Sequence, residues 1–559
     1  MSDPSLPPLN ESDVTERLAR LEASVARLET QLAARPASKV SSPSPAHEST
    51  ATAAPGDVPK DSEEEFEFEV GQKWFARGGI LALAVGGAFM LSLPYPQLPA
   101  SVPSLAGWVV AAGLLMLAQV LQRVFELLAN YLRGAGMALL WFATLRLFFF
   151  GAPPALATDS AVGRMLLALV IAVNLTIAFR RHSPRLATLA LVMGYLSAVA
   201  IGAAWPLLAT LLVLAIVVAA AVHRENWTLF LLAGTTLGPV GYLVWASGNP
   251  LRGAGLHFAA EPRLAPAVLL LTAVVLALGA LKRGNEEESM LDGATAALNC
   301  GFGYSVFLLH TVAAFPADFV IAHAGASLAF LGLAVVAWMQ SRSYAATFFY
   351  AMTGYAALSM AIIKGSVMPD VFVWLALQSL VVVATAVWFR SRFIIVANFL
   401  IYVAIILGYL VLRERETGIS IVFGVVALVS ARILNWQQDR LELKTELMRN
   451  AYLFSGFVIF PYALSHLVPG MYVGLAWVGL ALVYYGLNLF VRSQKYRWMG
   501  HATLLLSALY LLIVGTRQFE PVYRVVSFLV LGTVLLIGSL IFTRLRSRRN
   551  AEPPTESDH

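Results

Sequence analysis

Almost the whole chain after residue 72 consists of apolar segments long enough to cross a lipid bilayer. About 20 residues of α-helix, at a rise of about 1.5 Å per residue, cross a hydrocarbon core of about 30 Å. Apolar residues make up 58% of the chain and charged residues only 13%, where a soluble domain has about 25% charged residues. The sequence therefore predicts an all-α, polytopic transmembrane protein and excludes a soluble multi-domain architecture.

Eighteen spans are expected. They cover residues 74–93, 102–121, 132–150, 161–179, 186–201, 205–222, 227–246, 264–281, 290–310, 318–339, 344–363, 371–389, 393–412, 419–434, 450–467, 471–491, 496–514 and 522–542. The segment 186–201 is short enough for a re-entrant helix. The expected number of spans is therefore 16 to 18.

Composition divides the chain into four parts. Residues 1–34 are a tail with coiled-coil heptads, and 35–72 a disordered linker rich in Pro, Ala and Ser and then acidic; 73–543 form the transmembrane domain, and 544–559 a basic, then polar tail. The seam follows the a and d spacing of a coiled coil through Val14, Leu18, Leu21, Val25, Leu28 and Leu32. Short helices are marginal alone in water, so the seam predicts a homo-oligomer. The alternative is one amphipathic helix lying on the protein or the membrane.

Lys and Arg residues alternate in number from loop to loop. With the N-terminus inside, 24 fall on the inner side, nine on the outer side and six in the N-terminal tail. Because cytoplasmic loops retain an excess of Lys and Arg, this split predicts both termini in the cytoplasm, with the chain in a bacterial inner (plasma) membrane. The net charge of +6 is then a topology signal and does not indicate nucleic-acid binding. No cleavable signal peptide precedes the first span.

Polar or cationic residues mark the outer ends of outgoing helices at a period close to 52 residues. They are Arg146, Arg252, His310, Lys364, Arg413, His466 and Arg517. Two spans and two short loops produce such a period without common ancestry, so the spacing alone decides little. The shared ending of an apolar helix in a cation, as in Leu145-Arg146 and Ile363-Lys364, favours duplication of a helical hairpin. Repeated hairpins build transporters, and they also build inert scaffolds.

Both ends of the transmembrane part carry motifs. After the heptads and the Pro-rich linker come Gly71-Gln72-Lys73-Trp74 and Gly78-Gly79-Ile80-Leu81-Ala82-Leu83; near the other end, Arg517 precedes Arg524-Val525-Val526-Ser527-Phe528-Leu529. In these features the chain resembles the predicted multi-spanning bacterial membrane proteins grouped as domain of unknown function 2339. The resemblance implies a many-helix membrane fold and no established activity. The chain departs from similar proteins at Leu91-Ser92-Leu93-Pro94, where they often have a Lys.

Motifs of known catalytic sites are absent from the sequence: it has no His-Glu-x-x-His, no Gly-x-x-x-x-Gly-Lys and no Gly-x-Ser-x-Gly. The single cysteine, Cys300, forms no intramolecular disulfide and excludes a Cys-rich metal site. No catalytic residue, metal site or cofactor is therefore predicted. No carboxylate lies near the centre of an expected span, which argues against a carboxylate-coupled pump, because buried carboxylates usually mark that function.

Uncharged polar residues and glycines inside the spans have a structural interpretation. We expect interhelical hydrogen bonds, worth about 0.6–2 kcal/mol each, from Asn174, Asn299, Gln378, Asn398 and Asn488. The first span carries a glycine-rich face, which we expect to allow close helix contact. Its members are Gly78, Gly79, Gly86 and Gly87.

Cations at the outer helix ends are the only candidate binding site. If the hairpins wind around a common axis, a ring able to hold phosphate or carboxylate would form from Arg146, Arg164, Lys364, Arg413, Arg517 and Arg524. The alternative for Arg146 is a side chain that snorkels to the interface.

Three functional hypotheses remain. The first is transport or handling of an anionic lipid or a cell-envelope precursor, and the second is a non-catalytic scaffold that oligomerises through the coiled coil. The third and weakest is a transferase acting on lipid-linked substrates, for which no acid/base pair can be named. A water-filled cavity near mid-membrane would favour the transporter, and a closed bundle would favour the scaffold.

Overall fold

The computed structural model describes residues 75–536, with gaps at residues 94, 96, 151–153, 251–252, 254, 282–288, 413–416, 437–445, 492, 516–520, 524 and 535. Within these residues every regular element is a helix. The coiled-coil seam (Val14, Leu18, Leu21, Val25, Leu28 and Leu32), the linker 35–72 and the tail 544–559 lie outside the described residues. Their structure therefore stays a prediction.

The helices follow one another with short connections. They are α1 Phe75–Ser92, α2 Val102–Leu121, α3 Glu126–Phe149, α4 Ala161–Arg180, α5 Pro184–Ile201, α6 Ala204–Glu225, α7 Thr228–Ala246, α8 Ala265–Ala280, α9 Met290–Ala297, α10 Gly303–Ala314, α11 Phe319–Val336, α12 Tyr344–Gly365, α13 Asp370–Trp388, α14 Arg392–Val411, α15 Thr417–Trp436, α16 Glu446–Leu467, α17 Val473–Val491 and α18 Gln494–Tyr510. π-Helical segments extend three of them, at Leu298–Phe302 between α9 and α10, at Ala337–Ser341 after α11 and at Leu511–Gly515 after α18.

Fourteen helical segments of the described chain are long and apolar enough to cross a membrane. One is α5, which the sequence left open as a re-entrant helix. The other four expected spans coincide with α1, α8, α16 and a shorter apolar helix, Pro521–Val534. The expected all-helical, multi-pass fold is therefore confirmed over the described residues. The count of 16 to 18 spans and the hairpin repeat stay predictions.

Three connections between consecutive helices use the same two-residue turn. A residue at positive φ ends the first helix, and the serine after it caps the next helix by accepting a hydrogen bond from a free backbone N–H group. The positive-φ residues are His182, Arg342 and Arg390, with φ of 46°, 50° and 50°. The capping serines are Ser183, Ser343 and Ser391. The turns bring together α4 and α5, α11 and α12, and α13 and α14, and in each pair the two helices pack against each other.

Buried amides join neighbouring helices, as the sequence predicts. The side-chain nitrogens donate to the carbonyl oxygens of Met137 from Asn174 (3.3 Å), of Ala273 from Asn299 (2.8 Å) and of Tyr355 from Gln378 (2.8 Å). Asn398 donates to the hydroxyl oxygen of Tyr452 at 2.9 Å. The interhelical role is therefore confirmed for four of the five amides.

The glycine contacts differ from the expectation. A Cβ atom added at Gly78, Gly79 or Gly86 would meet no atom within 4 Å, and one at Gly87 would lie 3.3 Å from Leu139. The prediction is wrong for the first three, because α1 packs mainly against α3 and these three glycines lie away from that contact. Close approach occurs elsewhere: an added Cβ would lie 2.7 Å from Ala143 Cβ at Gly107, and 2.4 Å from Ala219 Cβ at Gly279.

Candidate functional site

Arg146, the deepest of the predicted outer cations, lies in the last turn of α3 with 2% of its surface exposed. Its guanidinium donates to the carbonyl oxygen of Leu91 and, at 3.2 Å, to that of Leu93. Its Cζ atom lies 5.5 Å from the centre of the Tyr95 ring. These carbonyls belong to the free C-terminal end of α1, where a cation is favoured. Arg146 therefore ties α1 to α3.

The other predicted cations have separate surroundings. Arg164, in the first turn of α4, donates to the carbonyl oxygens of Asp159 and, at 3.4 Å, Ser160. Lys364 lies in the last turn of α12 and is exposed. Arg413, Arg517 and Arg524 lie outside the described residues. Neither of the two cavities described below is lined by any of these cations, and the ring stays a prediction.

A cavity of about 370 Å³ lies between α7, α8, α9, the π-helical end of α11 and the start of α12. Its walls are apolar along α7 and α8, at Leu231, Leu276, Ala277, Ala280 and Leu281. The polar and charged residues of its lining are Thr235, Asp292, Thr295, Asn299, Gln340, Ser341, Arg342, Ser343, Tyr344 and Tyr350. The cavity is therefore amphipathic, with both signs of charge present.

Burial of the lining residues increases from one end of the cavity to the other. Tyr344 is 60% exposed and Arg342 is also exposed, whereas Asn299 is 4% exposed and Tyr350 is fully buried. The first two residues therefore mark a mouth and the last two a floor. Tyr350 lies seven residues along α12 from Ser343, which is about 10 Å at 1.5 Å per residue.

Two π-helical segments shape this cavity. Leu298–Phe302 contributes Asn299 to the floor, and Ala337–Ser341 contributes Met339, Gln340 and Ser341 to the mouth. A π-helical turn holds one extra residue and shifts the register of the side chains that follow it, and such turns are frequent at functional sites. At the floor, Asn299 Nδ2 donates to the carbonyl oxygen of Ala273 at 2.8 Å and to the Tyr350 hydroxyl at 3.4 Å.

Phe330 closes the cavity beyond its floor. Its ring stacks on Tyr350, with centres 6.4 Å apart, and meets the Tyr304 ring edge-on at 6.1 Å. The Tyr304 hydroxyl lies 2.9 Å from His323 Nδ1, and His323 Nε2 lies 3.0 Å from the Thr311 hydroxyl. A single buried phenylalanine thus separates the polar floor from a second buried polar cluster.

The hydrogen bonds of this cluster fix the tautomer of its histidine. The Thr311 hydroxyl donates to the carbonyl of Phe307 or Leu308, so it accepts from His323 Nε2–H, and Tyr304 donates to Nδ1. His310 is placed in the same way, because its Nε2 faces the carbonyl oxygen of Ala259 at 2.8 Å and its Nδ1 faces the Tyr242 hydroxyl at 2.7 Å. Both histidines are therefore neutral and fully paired.

A smaller cavity, of about 80 Å³, lies between α12, α13 and α14. Tyr355, Ser359, Gln378, Ser379 and Asn398 are among its lining residues. Gln378 and Ser359 are joined by a hydrogen bond of 3.0 Å, and Asn398 donates to the Ser379 hydroxyl at 2.9 Å. Helix α12 thus carries polar side chains of both cavities and ends near the exposed Lys364.

Asp292 shows how the site was missed. The sequence places it at the start of a span, and the structure confirms a capping box there, with Ser289 N–H donating to Asp292 Oδ2 at 3.0 Å. The same residue lines the mouth of the larger cavity with Arg342. Sequence spacing gives no sign that these two residues, fifty positions apart, line one space.

The chain matches no protein-family model, no curated protein and no solved structure. The resemblance to the domain of unknown function 2339 stays a prediction. Chemically, the cavity offers a guanidinium, a carboxylate, hydroxyls and an amide around a volume of a size typical of small-molecule sites. Such a set binds a solute, and the described residues show no group of three metal ligands.

Proposed function

We propose that this protein is a multi-pass transporter of the bacterial inner membrane that takes a small anionic solute into the larger cavity. The solute is an anionic lipid head group or a cell-envelope precursor. One observation carries the proposal: an amphipathic cavity of about 370 Å³, with a charged mouth and a buried polar floor, lies among helices that are otherwise apolar. Polar groups inside a helical membrane protein are costly, and they commonly mark substrate pathways.

The chemistry of the lining supports an anionic group with further polar substituents. Arg342 offers a planar fork of donors that matches carboxylate or phosphate. Asp292, Thr295 and Asn299 supply acceptors, a hydroxyl and an amide deeper along α9 and its π-helical extension. The apolar wall of α8 suits a hydrocarbon portion. This combination fits a head group with part of its chain better than it fits a bare inorganic ion.

The proposed direction of loading follows from the cations. The mouth lies at the turn that carries Arg342, on the side where the Lys and Arg excess places the cytoplasm. The floor lies about 10 Å further along the helices, roughly a third of the way across a core of about 30 Å. Release on the other side would require an opening past Phe330, which is the alternating access common in repeated-hairpin transporters. Both termini are then cytoplasmic, and residues 11–34 join copies of the chain.

Thiol labelling tests whether the cavity is aqueous and selects anions. In a Cys300→Ser background, Thr295→Cys places one thiol in the lining. Its labelling rates with an anionic reagent (2-sulfonatoethyl methanethiosulfonate) and a cationic one (the 2-trimethylammonioethyl analogue) are compared in nanodiscs. We expect both to react, and Arg342→Gln to lower the anion-to-cation ratio several-fold, because a unit charge about 6 Å away is worth roughly 1–3 kcal/mol at effective dielectrics of 20–40.

The chain supplies a matched control for that variant. Arg390 is exposed and has the same φ of 50° at the same kind of turn, but it does not line the larger cavity. Arg390→Gln should leave the ratio unchanged. A Thr295→Cys thiol that neither reagent reaches would indicate a dry, closed bundle, and the scaffold hypothesis would then lead.

A further inference from the structure

Two arginines from different helices converge on one amide oxygen at the joined ends of α2 and α4. Arg133, on α3, donates through Nη2 to Gln122 Oε1 at 2.6 Å and through Nη1 to Asn130 Oδ1 at 2.7 Å. Arg181, which follows α4, donates to the same Gln122 oxygen through Nη1 and to Gln119 Oε1 at 3.0 Å through Nη2. Two guanidinium groups that share one acceptor atom lie within about 6 Å of each other.

The charge of this pair is not neutralised by its partners. Arg133 is 3% exposed and Arg181 is half-buried, and the glutamine and asparagine oxygens that they contact carry no formal charge. Among the described residues, neither arginine forms an ion pair with a carboxylate. Buried charges are normally paired, because their mutual repulsion and desolvation are costly.

Helix dipoles do not supply the missing negative charge. The carbonyl ends of α2 and α4 lie here, each equivalent to about half a negative charge, but the N–H ends of α3 and α5 lie here too and offset them. Nearby Glu126 is exposed in the first turn of α3, and Glu225 contacts His182 at 3.1 Å. Three more exposed arginines flank the pair: Arg123, Arg180 and Arg185. The cluster therefore keeps a net positive charge.

We propose that this arginine pair binds the phosphate group of an anionic membrane phospholipid. Arg181 has five N–H donors and uses two of them on Gln119 and Gln122, which leaves three for phosphate oxygens. Arg133 stays beneath and raises the local potential. Because the pair lies at helix ends, at the level of lipid head groups, the phosphate of a lipid reaches it more readily than a soluble one. This site is separate from the cavity and does not rest on the proposed transport.

Lipid binding to the delipidated full-length protein tests the site. Native mass spectrometry would count bound phosphatidylglycerol and phosphatidylcholine over a concentration series, with inorganic phosphate as a competitor in a parallel series. We expect phosphatidylglycerol to bind more tightly than phosphatidylcholine. Arg181→Gln should weaken phosphatidylglycerol binding about tenfold, the loss expected for one charge-assisted hydrogen bond. Arg390→Gln, at an exposed turn without a second arginine on a shared acceptor, is the control and should bind like the wild type.

Each other outcome decides between the alternatives. Undiminished phosphatidylglycerol binding by Arg181→Gln would overturn the site. Displacement of the lipid by millimolar inorganic phosphate, with phosphate retained by the wild type and lost in Arg181→Gln, would assign the site to free phosphate and overturn its lipid occupant. Arg133→Lys keeps the buried charge and should bind within a few-fold of the wild type. Arg133→Gln should lose affinity as Arg181→Gln does, and its circular dichroism shows whether it is folded.

Discussion

Replacement of Gly279 by alanine tests how the wall of the larger cavity is held in place. Gly279, near the end of α8, faces α6, and an added Cβ would lie 2.4 Å from Ala219 Cβ and 2.5 Å from its Cα. Carbon atoms prefer separations of about 3.5–4.0 Å, so α8 must move away from α6 by about 1 Å. Overpacking costs about 1–3 kcal/mol, and alanine recovers about 0.5–1 kcal/mol of helix propensity. Since the obstacle is partly backbone, we expect a net loss of about 1–2 kcal/mol in the free energy of unfolding.

Unfolding by sodium dodecyl sulfate in mixed micelles, followed by tryptophan fluorescence, measures this loss. The control is Gly332→Ala on α11, where glycine is exposed and an added Cβ meets no atom within 4 Å. It should be as stable as the wild type or up to about 1 kcal/mol more stable. Because Leu276 and Ala277 of α8 line the cavity, Gly279→Ala should also change the labelling rate of Thr295→Cys. Equal stability of the two alanine variants would refute the close α6–α8 contact.

Two predictions concern parts of the chain outside the described residues. If residues 11–34 form a coiled coil between copies, Leu21→Asp combined with Leu28→Asp places charges in its seam, and light scattering in detergent should record a smaller oligomer; an unchanged mass would contradict self-association there. If both termini and the 437–445 segment are cytoplasmic, a thiol at Lys444→Cys should react with a membrane-impermeant reagent only after the cells are opened, and labelling of intact cells would overturn the topology.

The sequence predicts the helices well because length and apolarity alone determine a spanning segment. Individual roles also followed: Asn174 and Gln378 join helices as expected. The cavity did not follow, because its polar residues run from Thr235 to Tyr350 and no periodicity says which helices are neighbours. Each of them also has an ordinary explanation alone, as a capping residue or an interhelical donor. Only their convergence distinguishes a site.

Arg146 shows the same limit from the other direction. Both sequence interpretations, a snorkelling side chain and a member of an anion-binding ring, treat it as facing water or solute. The structure places its guanidinium on the carbonyl oxygens of Leu91 and Leu93 instead. That outcome depends on where α1 ends in space relative to α3. Hydropathy contains no such information, and the unused glycines of α1 were misjudged for the same reason.

The shared turns at His182, Arg342 and Arg390 have a consequence for biosynthesis. Each turn satisfies backbone groups of both helices from within the pair, through the positive-φ residue and the serine that follows it. A nascent pair can therefore leave the translocation channel as one closed unit before any later helix has been made. At two of the three turns the residue that reverses the chain is an arginine, which also resists passage across the bilayer. Assembly would then proceed by whole hairpins added in order of synthesis.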